Sequence, residues 1–252
     1  MARRKASRRH RLDQELVDRG LFATTQDAMR AVMAGEVSTS DRRLTSPGEQ
    51  VLPGIPLHVK GHIPYVSRGG LKLEHGLSEF GVDVSGLDCL DVGCSTGGFT
   101  DCLLQHGAKM VMAVDVGTNQ LAYSLRSDPR VWVKENFNAR YMTRADLPET
   151  PELAVTDVSF ISLRLILPPI ASVLAPGGAV VALIKPQFEV GKGQAPGGLV
   201  RDEALRLAAR DGIVRFAEEE LGLSLAGLAE SPIRGREMGN VEYLAFFRLA
   251  SR

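Results

Sequence analysis

The stretch that decides the fold reads Asp91-Val92-Gly93-Cys94-Ser95-Thr96-Gly97-Gly98-Phe99-Thr100. It follows an apolar run at residues 87–92 and precedes a predicted helix at residues 99–106. Its glycines therefore lie in a strand-to-helix turn, where a backbone without Cβ atoms lets a nucleotide-like ligand come close. The spacing G-x-x-x-G-G departs from the dinucleotide fingerprint G-x-G-x-x-G, because Ser95 stands where the second glycine belongs. The chain has no G-K-[ST] sequence, which excludes a P-loop.

An acidic residue follows at the end of the next predicted strand. Asp115 comes directly after residues 110–114 and 22 positions after Gly93. A carboxylate at that place can accept hydrogen bonds from the ribose hydroxyls of an adenosine. Strand, glycine loop, helix, strand and acid in this order are the usual layout of an S-adenosylmethionine site. We predict that this cofactor is held by Gly93, Ser95, Thr96, Gly97, Gly98, Phe99 and Asp115, with Asn136 near the adenine.

Outward from the loop, apolar strands and helices alternate from about residue 66 onward. Helices are predicted at residues 70–80, 99–106, 119–126, 163–174 and 202–221, and strands at 87–92, 110–114, 131–133, 153–155, 179–184, 223–229 and 241–249. This alternation predicts an α/β domain whose parallel sheet carries helices on both faces. The last two strands are close enough in sequence to form an antiparallel pair at the sheet edge, which makes the sheet mixed.

The N-terminal region has a different character. Residues 11–36 predict two short helices, the second capped by Thr24 or Thr25. Residues 1–60 carry 11 basic and 7 acidic side chains, and the first eleven residues contain six basic and no acidic ones. Such a block is typical of an arm for nucleic acid or another anionic surface, and equally of a solvated terminus. The expected domains are residues 1–60 and 66–252, joined by a linker at 61–65.

Composition excludes several classes of protein. With 44% hydrophobic and 24% charged residues, the chain is not globally disordered. The odd count of three cysteines without C-x-x-C indicates neither a disulfide framework nor a zinc site, and no metal site is expected. The sequence shows neither a signal peptide nor an apolar run of about 18 residues, so a cytoplasmic protein without stable membrane insertion is expected.

Four charged residues are predicted to converge. Asp157 and Lys185 follow the fourth and fifth strands, where ligands of open α/β sheets bind. Glu242 opens the antiparallel last strand and so reaches the same edge, and Lys72 lies on the helix before the first strand.

At this point the sequence resembles a known group of enzymes. The order Lys72, Asp157, Lys185, Glu242 resembles the catalytic tetrad of RrmJ/FtsJ-type ribose 2′-O-methyltransferases, and further motifs resemble their TlyA (haemolysin A-like) branch. Those motifs are Ala34-Gly35-Glu36-Val37, Ser67-Arg68-Gly69-Gly70-Leu71-Lys72-Leu73, the glycine loop itself, Asp157-Val158-Ser159-Phe160-Ile161-Ser162, Lys185-Pro186-Gln187-Phe188-Glu189-Val190-Gly191 and Gly239-Asn240-Val241-Glu242. One departure is Ser38-Thr39-Ser40-Asp41, where S4 units of the family commonly carry Val-Asn-Gly.

The resemblance implies a small α+β S4-like RNA-binding domain followed by a Rossmann-like methyltransferase domain. It implies methylation of cytidine 2′-hydroxyls in 16S ribosomal RNA, 23S ribosomal RNA or both, with ribosomal RNA or ribosomal subunits as partners. Lys185 would orient the 2′-hydroxyl and assist its deprotonation, or stabilise the developing alkoxide as a cation. RNA contacts are predicted at Arg4, Arg11, Arg30, Arg42, Arg43, Lys60 and Arg68.

Three other interpretations remain open from the sequence. A non-catalytic RNA-binding factor for ribosome assembly could retain the same fold. A membrane-active haemolysin would need a spanning or inserting segment, and none is evident. A dinucleotide-dependent oxidoreductase is disfavoured by the missing fingerprint. The sequence does not specify the oligomeric state.

Overall fold

The computed structural model describes residues 9–250 except positions 20, 23, 40, 41, 54, 56, 62, 63, 236 and 237, with only the backbone of His58. It divides the chain between Pro64 and Tyr65 into two compact units. Tyr65, the last residue of the predicted linker, is buried in the core of the second unit. A Cβ on Gly70 would come within 2.2 Å of the Tyr65 ring, so this glycine allows the close packing.

The first unit is a small α+β structure. Its elements are β1 (His10–Arg11), α1 (Leu12–Asp18), α2 (Thr25–Met33), β2 (Val37–Ser38), β3 (Arg43–Leu44), β4 (Gln50–Val51) and β5 (His58–Val59). β1 pairs with β4, and β2 lies between β3 and β5, all antiparallel. Thr24 caps α2 by accepting a hydrogen bond from the Asp27 amide at 3.2 Å. Leu12, Leu16, Val32 and Leu44 are fully buried between these elements. That this unit is S4-like stays a prediction.

The second unit is built on one seven-stranded sheet. Its elements are α3 (Gly69–Phe80), β6 (Asp88–Val92), α4 (Gly98–Gln105), β7 (Met110–Val114), α5 (Tyr123–Arg126), β8 (Val131–Lys134), β9 (Leu153–Thr156), α6 (Leu167–Val173), β10 (Ala179–Ile184), α7 (Glu203–Leu221), β11 (Leu223–Glu230) and β12 (Tyr243–Leu249). The strand order is β11-β12-β10-β9-β6-β7-β8. The five strands from β10 to β8 are parallel, whereas β12 and β11 add an antiparallel pair at one edge. The predicted mixed sheet is confirmed.

Apolar cores lie on both faces of this sheet, as the fold requires. All six residues of β10 are buried, which explains its continuous apolar sequence. One core contains Leu90, Ile170 and Phe247, and the other contains Leu73, Leu103 and Val155. Because side chains alternate along each strand, these cores cover both faces of the sheet, and the ends of the strands are left to bind ligands.

Two predicted helices are shorter than their sequence pattern indicates. The helix expected at 119–126 is reduced to α5, because the Glu135 carboxylate accepts the amide hydrogens of Asn119 and Gln120 and holds the preceding segment as a loop. The helix expected at 163–174 begins as a 3₁₀ turn at Leu163–Leu165 and continues as α6. The prolines at positions 168 and 169 fall in the first turn of α6, where their missing amide hydrogens cost little.

Candidate active site

Strand register brings the four predicted charged residues to one edge of the sheet. Thr156 of β9 is the register partner of Ala182 in β10, so Asp157 and Lys185 leave neighbouring parallel strands on the same side. Ile184 is the register partner of Tyr243 in the antiparallel β12. Lys185, after β10, and Glu242, before β12, therefore lie next to each other at the same edge of the sheet. The fourth residue, Lys72, lies on helix α3.

The four side chains form an alternating row of charge. Lys72 Nζ lies 2.6 Å from Glu242 Oε2 and 4.0 Å from Asp157 Oδ2. Lys185 Nζ lies 2.5 Å from Asp157 Oδ1. Lys72, Lys185 and Glu242 are each less than 10% exposed, and charges this buried are stable in a protein only when paired. The row is neutral as a whole, and its catalytic role stays a prediction.

A fifth polar group completes the surroundings of Lys185. The Lys185 ammonium donates a hydrogen bond of 2.7 Å to Ser159 Oγ. An ammonium group has three donors, so the contacts with Asp157 and Ser159 leave one for a ligand. Ser159 was absent from the predicted site, although it lies two positions after Asp157 in the same motif.

The glycine loop has the predicted strand-to-helix geometry. Gly93 and Gly97 have φ of 83° and 98°, and Ser95 has a φ of 49°. A Cβ on Gly97 would lie 2.3 Å from Leu125 Cδ1, and one on Gly98 would lie 2.2 Å from Ser67 Oγ. These glycines are therefore required by the left-handed backbone and by close protein neighbours, and not only by ligand approach.

The predicted cofactor residue Phe99 differs in burial from Ser95 and Thr96, and its cofactor role stays a prediction. The side chain of Phe99 is 3% exposed and packs in the core that contains Leu73. Phe99 lies in the first turn of α4, directly after the glycine loop, so its backbone borders this loop although its ring is buried. Ser95 and Thr96, by contrast, are exposed.

Asp115 organises the backbone around it. Its two carboxylate oxygens accept hydrogen bonds from the amides of Ser95 at 2.8 Å and Gly117 at 2.7 Å. A carboxylate offers about four acceptor positions, so two remain available. Val116, the next residue, is 72% exposed and presents an apolar surface beside this carboxylate that the sequence analysis did not single out.

The turn after β8 lies against the segment that follows Asp115. Asn136 is exposed, has a φ of 52°, and donates its amide to the Gly117 carbonyl oxygen at 3.0 Å. Arg126, at 2.7 Å, together with backbone amides of the neighbouring loop, holds the pKa of Glu135 below its usual range. The predicted adenine-side residue Asn136 therefore lies next to the loop that follows Asp115.

Asp91, at the start of the glycine motif, is fully buried. Its Oδ2 accepts a hydrogen bond of 2.6 Å from Thr100 Oγ1, whereas Oδ1 has no partner within the described part of the chain. Burial raises the pKa of this carboxyl to about 7. An unpartnered buried carboxylate oxygen is costly, so this group is suited to a positively charged ligand nearby.

Two aromatic residues outside the predicted site lie on the loops that carry Asp157 and Lys185. Phe160 is 80% exposed although it is a large apolar residue, and its φ is 62°. Its ring lies 5.3 Å from that of Phe188, centroid to centroid, at a tilt of 52°. A bulky residue with this backbone conformation is rare, and such strain is concentrated at functional sites.

The predicted RNA-contact residues have varied surroundings. Arg4 lies outside the described residues. Arg11 pairs with Asp13 at 2.6 Å, Arg30 pairs with Asp27 at 3.3 Å, and Arg42 pairs with Glu49. Exposed side chains are also found at Arg43, Lys60 and, at the start of α3, Arg68. Arg30 and Arg42 pair at the surface and can exchange a carboxylate for a phosphate at little cost, whereas the partner of Arg11 is the buried Asp13.

One cluster of possible metal ligands occurs within the part of the chain that the structure describes, at His10, Glu15 and Asp18. Glu15 already pairs with His10 at 2.7 Å and with Arg19 at 2.6 Å, so its carboxylate is occupied by protein donors. Over the same described residues, no helix combines the length and apolar character needed to cross a bilayer.

Comparisons with known proteins match this architecture. Residues 65–249 match the sequence model of the FtsJ-like methyltransferase family. A Bacillus subtilis (strain 168) protein, provisionally named the rRNA methyltransferase YqxC, is 51% identical over 242 residues, which are 94% of this chain and 85% of the relative. A Mycobacterium tuberculosis (strain ATCC 25618 / H37Rv) protein named 16S/23S rRNA (cytidine-2'-O)-methyltransferase TlyA is 44% identical over 245 residues, or 96% of this chain and 91% of the relative. A solved structure from Streptococcus thermophilus, provisionally named a hemolysin, is 46% identical with a TM-score of 0.73 and covers 97% of this chain and 90% of its own.

Proposed function

The chain belongs to the FtsJ-like methyltransferase family, and we propose that it transfers the methyl group of S-adenosylmethionine to the ribose 2′-hydroxyl of cytidine in ribosomal RNA. The observation that carries this proposal is the row of Lys72, Asp157, Lys185 and Glu242 at the carboxyl edge of the sheet. The substrate is supported by the relative named as a cytidine-2'-O-methyltransferase of 16S and 23S rRNA.

The residues around the glycine loop fit S-adenosylmethionine. Asp115 has acceptor positions left for two ribose hydroxyls, and the exposed Val116 offers an apolar face to the adenine. The unpartnered Oδ1 of Asp91 suits the positive charge of the methionine part. When bound, the cofactor supplies an electrophilic methyl group on a sulfonium sulfur. Ser95, Thr96 and the backbone of the loop would hold it.

The charged row supplies what a ribose hydroxyl lacks. A hydroxyl is a poor nucleophile near neutral pH, so catalysis must align it and assist the loss of its proton. The free donor of Lys185 Nζ would bind the 2′-oxygen and stabilise the negative charge that develops on it. Asp157 and Ser159 fix the direction of that donor, because both bind the same nitrogen.

Lys72 and Glu242 hold the other end of the row. Their ion pair keeps Lys72 within 4.0 Å of Asp157, so the carboxylate is shared between two lysines. The exposed ring of Phe160, which follows Ser159 in the sequence, offers a flat surface on which a nucleobase could stack.

The first unit would bind the RNA backbone. Exposed basic residues at Arg11, Arg30, Arg42, Arg43 and Lys60, with Arg68 in the second unit, are suited to phosphate contacts, which give affinity but little sequence choice. Under this proposal the protein works in the cytoplasm, where ribosomal RNA is found.

Transfer of labelled methyl groups tests the proposal. Small and large ribosomal subunits from cells that lack this protein are incubated separately with labelled S-adenosylmethionine and the wild-type chain or Lys185→Ala. We expect incorporation with the wild type and a loss of about 100-fold or more with the variant, the range of acid–base catalysis, while cofactor binding is retained. Equal turnover would refute the role of Lys185. Cofactor binding without incorporation on either subunit would favour a non-catalytic assembly factor.

A further inference from the structure

Two catalytic loops run side by side at the edge of the sheet. They follow the neighbouring parallel strands β9 and β10, and they are joined by contacts at successive positions. Lys185 binds Asp157 and Ser159 at 2.5 and 2.7 Å, and Phe188 lies against Phe160. Each of these contacts involves a residue that borders the proposed reaction centre.

The last contact in this series belongs to a residue outside the charged row. Glu189 Oε2 accepts a hydrogen bond of 2.5 Å from Ser162 Oγ, and Oε1 accepts one of 2.8 Å from the Leu163 amide. Ser162 Oγ in turn accepts the Arg164 amide at 3.1 Å and so caps the 3₁₀ turn that follows. Burial raises the pKa of Glu189, and the two hydrogen bonds oppose that shift.

We propose that Glu189 is a positioning residue that fastens the loop of Lys185 to the loop of Asp157, Ser159 and Phe160. This role rests on the proposed methyl transfer. The carboxylate binds both donors at the far end of the Phe160 loop, two and three residues beyond its strained position. A strained backbone persists only where its surroundings hold it, and the described surroundings supply this anchor.

Loss of the anchor should act on the chemical step. Without the carboxylate, Ser162 and the Leu163 amide lose their acceptor, and the Phe160 loop is free to relax away from Lys185. A misplacement of about 1 Å at a reacting centre can cost about 100-fold in rate, so Glu189→Ala should lower kcat by about that factor. Glu189→Gln keeps one acceptor and should stay within about tenfold of the wild type.

A matched control is found at the opposite end of β9. Glu152 precedes this strand and accepts the Asp88 amide at 3.1 Å, so it also binds a backbone donor through its carboxylate. Glu152→Ala removes a hydrogen bond between a carboxylate and a backbone amide at the amino edge of the sheet, away from both catalytic loops. It should leave kcat unchanged.

The experiment measures kcat, the KM for RNA, S-adenosylmethionine affinity and amide hydrogen exchange at Leu163, in the full-length wild type and in Glu189→Ala, Glu189→Gln and Glu152→Ala. We expect faster exchange and lower kcat only in the Glu189 variants, with partial rescue by glutamine and unchanged cofactor affinity. The proposal is overturned if Glu189→Ala keeps the wild-type kcat, whether or not exchange at Leu163 is faster, or if Glu152→Ala loses as much. A wild-type chain that binds cofactor but transfers no methyl would instead overturn the proposed function, and the positioning role with it.

Discussion

The buried pair of Lys72 and Glu242 allows stability and catalysis to be separated. Their side chains are 11% and 3% exposed, and the charged atoms are 2.6 Å apart. Removal of one partner of a buried pair leaves an uncompensated charge and costs about 3–5 kcal/mol. In Glu242→Met, Lys72 keeps only the Asp157 carboxylate, 4.0 Å away, so we expect a loss near the lower end, about 3 kcal/mol.

The double variant Lys72→Met/Glu242→Met should recover most of this stability. Replacement of both charges by apolar side chains of similar length is often close to neutral, so the two effects should not add. Methyl transfer should nevertheless be lost in Lys72→Met, in Glu242→Met and in the double variant, because the charged row is broken in each. The coupling between the two substitutions in unfolding free energy therefore measures the structural role of the ion pair, whereas methyl transfer measures its catalytic role.

Trp132 provides the assay for unfolding. It is the only tryptophan in the chain and lies in β8, so its fluorescence follows the second unit. At about 2–4 °C per kcal/mol for a unit of this size, each single variant should melt about 6–12 °C below the wild type. A double variant whose loss equals the sum of the single losses would refute the coupling. A double variant with restored methyl transfer would refute the catalytic role of the row.

Three further outcomes are expected. Asp115→Ala should weaken S-adenosylmethionine binding about 100-fold by calorimetry, because two hydrogen bonds to a charged acceptor are lost, and an unchanged Kd would exclude a ribose contact. Burial raises the folded-state pKa of Asp91, so the folded chain holds a proton between pH 3.8 and about 7 that the unfolded chain releases. The unfolding free energy should therefore fall as pH rises through that window. Asp91→Asn should remove this slope in denaturation measured across the same pH range. Alanine at Arg42, Arg43 or Lys60 should make the salt dependence of RNA affinity shallower by about 0.7–0.9 per lost phosphate contact, and an unchanged slope would remove that residue from the RNA interface.

The sequence predicted those parts of the site that depend on local pattern and strand order. Glycines after a buried strand and Asp115 after the next indicated the cofactor loop, because ligand-binding turns in open α/β sheets have fixed places. The same rule predicted that Asp157 and Lys185, which follow neighbouring parallel strands, lie close together. Antiparallel pairing of the last strand then placed Glu242 at the same edge, as the register of β12 confirms.

Residues that act through loop conformation could not be predicted in this way. Ser159, Phe160 and Glu189 gain their positions from contacts between two loops that have no periodic pattern. Burial also separates neighbours within one motif. Phe99 belongs to the glycine stretch but faces the core, which depends on how α4 packs against α3.

Nucleoside analysis of the methylated RNA shows whether the methyl group is placed on the 2′-oxygen of cytidine. Ribosomal RNA from cells that lack the protein is treated with the wild-type chain and S-adenosylmethionine, digested to nucleosides and analysed by mass spectrometry, with resistance to alkaline cleavage used to locate the site. We expect 2′-O-methylcytidine at a discrete position with the wild-type chain, and no such product with Lys185→Ala. A methyl group on a base, or a product that persists in Lys185→Ala, would contradict it.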